Sequence, residues 1–330
     1  MRGAKIVATG RYLPDKVSSN FDLEKLMDTT DEWIVQRTGI RERRYAEGEE
    51  TTSYMGAIAA KRAMEKAGLE PKDIDYVIFA TLSPDFFFPG SGVLVQDLLH
   101  LDNVGALDVR NQCTGFVYGL GIAESFIKMG KFDNILVIGS EVHSHGLDFS
   151  TSGRDITVLF GDGAGAAVVG PSKDGQGILS TQMNSEGKYA KELWCEAPGS
   201  TENPRITVEM LKEKRHFPAM NGRFVFINAV KRFKETIEEA LSNCNLTKED
   251  ISLVIPHQAN LRISQAVAKS MGLQENQVFS NIEYYGNTTA ASIPIALDEC
   301  LERDVIKEGD IVCLAAFGSG FTWGSVLMRW

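Results

Sequence analysis

The chain has 330 residues, 43% of them hydrophobic and 24% charged, a balance that fits a folded globular protein and excludes a disordered or fibrous one. Its 34 basic and 44 acidic residues give a formal charge of -10, which excludes a general attraction to nucleic acid or to anionic membranes; any acidic partner must dock on a local basic patch. At this length one compact core stops growing efficiently, so two packed halves are expected.

The opening MRGAKIVATGRYLP has no apolar stretch of the signal-peptide kind, and charged residues interrupt every later apolar run before it could span a bilayer. A cytoplasmic location is the expectation. The β-rich runs YVIFAT, ALDV, NILVIG and AAVV come first, then LVIP and IVCLAAF, with amphipathic or small-residue stretches between them, which reads as an α/β protein. One pattern occurs twice: AIAAKRAMEKAGLEPKDIDYVIFAT and VKRFKETIEEALSNCNLTKEDISLVIPHQ both run helix, polar turn, acidic start, buried strand. Aligning Asp73 with Asp250 sets Ala80 against His257. Cys113 then follows Ala80 by 33 residues and Asn287 follows His257 by 30, each ahead of a further helix and strand. The chain therefore reads as two βαβαβ halves, 1–175 and 176–330, about a pseudo-twofold axis. The stretch from Met183 to Arg223 has no counterpart in the first half and reads as a surface excursion with a short helix around VEMLKEKR, capping a pocket entrance.

The five cysteines, Cys113, Cys195, Cys244, Cys300 and Cys313, are odd in number and widely spaced, with no CxxC pair, so neither disulfides nor a metal site is expected. As single residues they read as small buried apolar groups. Cys113 departs from that reading because it sits where the strand GALDV gives way to the helical run TGFVYGLGIAESFIKMGK. Unpaired N–H groups and the dipole at a helix start favour the nucleophilic thiolate and can hold an oxyanion. His257 ends the apolar run LVIP, where ligands bind in open α/β sheets; a satisfied loop histidine is the plain alternative. Asn287 in GNTTAAS occupies the position expected to match Cys113, where capping alone would also explain it. FGDGAGA and FGSGFTWGS lack the GxxxxGK[ST] and GxGxxG patterns and read as tight turns, the second able to offer a backbone N–H.

Taken together, DEWIVQRTGIRERR, NQCTGF, LFGDGAGAAVV, VIPHQANLRI, GNTTAASIP and AFGSGFTWGS resemble, in order and spacing over essentially the whole chain, the β-ketoacyl-[acyl carrier protein] synthase III family. The resemblance implies a thiolase-like fold of two halves in a layered αβαβα arrangement. It also implies a transferase that condenses an acyl-CoA primer with a malonyl thioester to initiate fatty acid synthesis. Cys113 would carry the acyl group, His257 and Asn287 would hold the malonyl carbonyl, and the Cys113 and Ser319 N–H groups would form the oxyanion hole. Trp33, Arg37 and Arg154 would bind the adenine end of CoA, Asn260 the pantetheine, and Phe317 would lie beside the cysteine. Phe88 would reach into a neighbour's acyl pocket, implying a homodimer, and Arg262 and Lys269, with Arg223, Lys231 or Arg232, would dock acyl carrier protein. No cofactor beyond the CoA substrate is implied. Three departures stand out: Ser319 inside the usual triple glycine, Ile227 and Ser270 at usually basic positions, and the long Met183 to Arg223 segment, a feature of relatives that take longer or unusual acyl groups. The rival readings are a condensing or acyl-transfer enzyme of specialised metabolism, a thiolase, a non-catalytic binding module and a cysteine hydrolase. The thiolase reading would need Cys313, which sits inside a strand. The hydrolase reading draws on the papain-like Cys, His, Asn order with 144 residues between Cys113 and His257, but the CGSCW-type signature is absent.

Overall fold

The structure, a computed structural model, describes residues 2–173 and 175–330. Five strands form the first sheet: β1 (Gly3–Tyr12), β2 (Tyr76–Ala80), β3 (Gly105–Val109), β4 (Ile135–Glu141) and β5 (Gly163–Ser172), in the order β1-β5-β4-β2-β3. Four form the second: β6 (Gly177–Ser185), β7 (Leu253–Pro256), β8 (Ile311–Gly318) and β9 (Thr322–Arg329), in the order β7-β8-β9-β6. The directions repeat as well. β2 runs parallel to β4 as β7 does to β8, and β5 is antiparallel to its two neighbours as β9 is to its own. A single parallel bridge from Val254 to Val278 stands where the first sheet has β3.

The helices that matter for the site are α1 (Asp31–Thr38), α2 (Thr52–Ala67), α3 (Ser91–Leu98), α4 (Gly115–Lys128), α5 (Gly222–Asn243), α6 (Leu261–Met271) and α7 (Ser292–Glu302). Helices α4 and α7 lie between the sheets: Phe116, Val117 and Leu120 of α4 and Ile293 and Leu297 of α7 share one core with Ile78 and Val137 on one side and Ile255 and Leu314 on the other. That is why the α4 sequence is apolar nearly all round. Helices α2 and α3 cover the outer face of the first sheet, and α5 and α6 that of the second. The result is the expected αβαβα layering. Asp298 of α7, 1% exposed, adds a polar tie to the first sheet, accepting from Thr9 Oγ1, Arg11 Nη1 and Lys66 Nζ, each at 2.7 Å.

The repeat is visible at the level of single turns. Asp73 accepts the Glu70 N–H at 2.8 Å before β2, and Asp250 accepts the Thr247 N–H at 2.7 Å before β7, so the acidic starts are reciprocal capping boxes. One alignment needs correction. Short 3₁₀ turns, Gln112–Thr114 and Thr289–Ala291, lead into α4 and α7, and the first residue of each has positive φ, 44° at Gln112 and 47° at Thr289. The partner of Cys113 is therefore Ala290, which follows His257 by the same 33 residues. Asn287 lies three positions earlier and is not the cap of α7, a place taken by Ala291. Matching by side-chain polarity misled because what repeats is the left-handed backbone turn.

Met183 to Ser185, expected in the excursion, pair with Thr322 to Gly324 as the end of β6. The excursion proper folds as a two-stranded ribbon, Leu193–Cys195 against Pro218–Met220, with a short helix Val208–Lys212. The two halves meet through glycine. A Cβ on Gly139 of β4 would lie 2.2 Å from the Ala290 carbonyl oxygen, and one on Gly165 of β5 would lie 2.7 Å from the Ile295 nitrogen. Gly139→Ala is expected to cost about 1–3 kcal/mol of stability by overpacking, read as a lower denaturant midpoint; an unchanged midpoint would mean that the junction yields freely.

Candidate active site

Cys113 occupies the middle of the turn that feeds α4 and is 8% exposed. Its sulfur faces two backbone N–H groups, its own and that of Ser319. Gly318, at the end of β8, closes the other side: a Cβ there would lie 2.5 Å from Cys113 Cβ and 2.8 Å from the sulfur. Loss of water outweighs the N–H groups. Burial first, and the negative charge of Glu141 second, push the Cys113 thiol up to about 12, so the resting nucleophile is a thiol. The N–H groups pull the thiol in the expected direction, and burial outweighs them.

His257 follows β7 directly, its N–H bonded to the Ala315 carbonyl of β8 at 2.8 Å. Its Nδ1 lies 2.7 Å from Ser292 Oγ, the first residue of α7, and Ser292 Oγ also accepts the Gln258 N–H at 3.3 Å. The serine hydroxyl can donate to Nδ1, the arrangement that places the imidazole proton on Nε2. Nε2 is buried and has no partner among the described residues. Burial pulls the His257 pKa down to about 3, so the ring is neutral.

Asn287 is fixed by its backbone, its N–H bonded to Leu159 O at 2.8 Å and its carbonyl to the Gly161 N–H at 3.1 Å. Gly286 makes that fit possible, having φ 64° and a position where a Cβ would come 2.9 Å from Leu159 O. The Asn287 side-chain oxygen accepts the Thr289 N–H at 2.9 Å, which assigns the amide and leaves its NH₂ free. The turn holding Thr289 and Ala290 packs on the turn holding Cys113, and β8 joins the Cys113 turn to the strand that precedes His257.

Two cavities adjoin at Pro218, and one of them reaches the sulfur. The inner one, of about 490 Å³, reaches Cys113 and Ser319 and is walled mainly by apolar groups such as Leu147, Phe160, Trp194 and Pro198. The outer one, of about 840 Å³, is lined by Trp33, Arg37, Arg154, Lys214, Asn260 and Arg262, and Pro218 borders both. Arg37 and Arg154 lie over the Trp33 ring, 4.3 and 4.6 Å from its centroid. Asn260 caps α6, its Oδ1 accepting the Arg262 N–H at 2.9 Å while its Nδ2 donates to Arg37 O at 3.0 Å. Lys269 sits exposed in the last turn of the same helix. Phe317 is buried against Phe321 in the core under α5 and α6 and lines neither cavity. Phe88 is 79% exposed, in a run with Phe86 and Phe87.

Comparison with known proteins decides the family. Residues 107–187 match the 3-oxoacyl-[acyl-carrier-protein] synthase III family, and residues 241–330 match the C-terminal region of 3-oxoacyl-[acyl-carrier-protein] synthase III. The chain is 46% identical to a β-ketoacyl-[acyl-carrier-protein] synthase III of Natranaerobius thermophilus over 333 aligned positions, covering 100% of both chains. The chain belongs to the β-ketoacyl-[acyl-carrier-protein] synthase III family. Among solved structures, the synthase III of Aquifex aeolicus superposes with a TM-score of 0.91 at 46% identity, covering 99% of this chain and 100% of its own. That of Thermus thermophilus superposes with a TM-score of 0.90 at 40% identity, covering 99% of each chain. The protein is an acyltransferase of this synthase III family, with its thiolase-like fold.

Within that synthase III frame, Ser319 has a local explanation. Its hydroxyl donates to the Leu193 carbonyl, tying the turn after β8 to the excursion ribbon. Sequence reading missed two residues that the fold brings to the site, Glu141 and His143. Glu141 ends β4 and accepts from Ser83 Oγ at 2.6 Å, Thr81 Oγ1 at 3.0 Å, and the Leu82, Ser83 and Ala290 N–H groups; burial still raises its pKa to about 7. His143 follows two residues later and lines the inner cavity. The rule that singled out His257, a polar residue at the C-terminal end of a buried strand, applies equally to SEVH. Because the resting sulfur is protonated, alkylation of free Cys113 is expected to speed up about tenfold per pH unit through pH 9 without a plateau; an inflection at or below pH 7 would show a thiolate.

Proposed function

We propose that the protein carries out a decarboxylative Claisen condensation of an acyl-CoA primer with malonyl-[acyl carrier protein], the initiating step of fatty acid synthesis, through an acyl-enzyme on Cys113. The Cys113 sulfur attacks the thioester carbonyl, its proton ends on the departing CoA sulfur, and an acyl thioester remains on the enzyme. The Cys113 and Ser319 N–H groups hold the tetrahedral oxyanion. The malonyl thioester then enters, its carbonyl oxygen taking hydrogen bonds from His257 Nε2–H and the Asn287 NH₂. Loss of carbon dioxide leaves an enolate at that oxygen, and its carbon attacks the acyl group, releasing the 3-oxoacyl thioester and the Cys113 sulfur. The observation that carries this reading is the buried Nε2 of a neutral His257, without a partner among the described residues, at the same junction as the thiol. A neutral donor stabilises developing negative charge without first having to lose a proton.

The adenine of CoA is read as inserting at the Trp33 ring, displacing one guanidinium from its present stack, with Arg37, Arg154 and Arg262 facing the phosphates. Asn260 stands where pantetheine would pass. Arg262 and Lys269, on the first and last turns of α6, form the basic strip offered to acyl carrier protein. The homodimer is supported by the open edge of β3 beside the exposed Phe86, Phe87 and Phe88, with Phe88 placed to enter a second copy. The excursion supplies Leu193, Trp194, Ala197 and Pro198 to the inner cavity, whose 490 Å³ exceeds the need of an acetyl group, so a longer primer is proposed. A cytoplasmic setting goes with the soluble substrates of this reaction; no helix among the described residues is long and apolar enough to cross a membrane.

Cys113→Ala is expected to abolish the mass increment left by acyl-CoA. His257→Ala and Asn287→Ala are expected to keep the increment but lose decarboxylation by about 10²–10³ each; full condensation by either variant would remove that residue from the mechanism. With malonyl-carrier protein and acyl-CoAs from acetyl to palmitoyl, turnover is expected to peak beyond acetyl, and a preference for acetyl would overturn the primer reading.

A further inference from the structure

The chemistry above leaves unused a second histidine built into the same junction. His143 is buried two residues beyond β4, its own N–H bonded to Asp162 Oδ1 at 2.6 Å. Its ring lies against Phe160, centroids 4.5 Å apart, and its Nε2 lies 2.6 Å from Thr289 Oγ1, the one ring hydrogen bond it makes among the described residues. Thr289 is the β-branched residue held at φ 47°, a conformation such side chains rarely adopt without support. Its N–H is the donor that holds the Asn287 side-chain oxygen. Asn287 is in turn bonded through its backbone to the residues on either side of Phe160. These contacts close a circuit: ring to hydroxyl, N–H to carboxamide, backbone to backbone, and ring to ring. No member can turn without breaking a contact.

We propose that His143 is a positioning residue for decarboxylation and condensation, acting through Thr289 to fix the carboxamide of Asn287. The inference rests on the role given above to Asn287. Without the imidazole, the buried Thr289 hydroxyl is left unpaired. The turn can then relax out of its left-handed conformation, its N–H swings from Asn287 Oδ1, and the carboxamide is free to rotate its donors away from the malonyl oxygen. A neutral imidazole suits the task, since either ring tautomer can bond a hydroxyl, and burial together with neighbouring His257 keeps His143 neutral with a pKa of about 3. Cys113 and its oxyanion donors are not members of the circuit, so its loss falls more heavily on decarboxylation than on acyl transfer.

The test compares His143→Leu, His143→Asn and Thr289→Val in the full-length protein, following the mass increment from acyl-CoA and steady-state decarboxylation of malonyl thioester. His143→Leu and Thr289→Val are expected to lower kcat for decarboxylation by about ten- to a hundredfold, a clearly larger loss than either brings to the acylation rate. His143→Asn, which can still bond the hydroxyl, is expected to recover part of the loss, and the His143→Leu, Thr289→Val double variant to be no slower than either single one. Decarboxylation by His143→Leu at the wild-type rate overturns the inference, as does an equal loss of acylation and decarboxylation in the Leu and Asn variants, which would mark His143 as a cavity wall. If His143→Leu fails to fold, Thr289→Val decides by the same criteria. Asn287→Ala separates the two levels: full decarboxylation by that variant overturns the role of Asn287, whereas a slow Asn287→Ala beside a fast His143→Leu overturns the present inference alone.

Discussion

Burial at the junction of the two half-sheets is the constraint on which the rest depends. Helices α4 and α7 fill the space between the sheets, and the approach is close enough that Gly139, Gly165 and Gly318 have no room for a side chain. The two turns that open those helices are pressed together at this junction. One carries Cys113, and the other follows Asn287 and meets the carboxylate of Glu141 through the Ala290 N–H at 3.4 Å.

Burial sets the charge states. Removed from water, a thiol, an imidazole and a carboxylate all shift toward their neutral forms, and here Cys113, His257 and Glu141 each move in that direction. For the thiol this costs nucleophilicity at rest, so in the proposed mechanism acylation relies on the N–H groups of Cys113 and Ser319, which favour negative charge as it develops. For the imidazole the same burial is an advantage, because a neutral ring oriented by Ser292 presents a fixed N–H with no need to reorganise in the transition state. One environment thus holds back the sulfur and readies the donors.

The sequence carried the architecture well because the repeat is written in local chemistry. Glu70 to Asp73 and Thr247 to Asp250 mark the same capping turn ahead of equivalent strands, and the apolar α4 run announces a helix buried on both sides. Cys113 and His257 were legible because each closes or follows a strand of that repeat. Asn287 was found by its motif and misaligned by three residues, since positive φ at Gln112 and Thr289 cannot be read from their side chains. The Phe317 ring was not placeable either: it packs into the outer core, while Ala316, one residue earlier, belongs to the central one. Glu141 and His143 went unnoticed because their meaning lies in contacts with Ala290 and Thr289, nearly 150 residues away in the chain.

The central claim is that His257 sits buried at the junction of the two half-sheets as a neutral ring protonated on Nε2. Nitrogen-15 NMR of the histidine-labelled protein tests it directly. The account predicts ring shifts of the neutral Nε2–H tautomer that stay constant from pH 8 down to pH 5; an imidazolium signature within that range, or a proton on Nδ1, would contradict it.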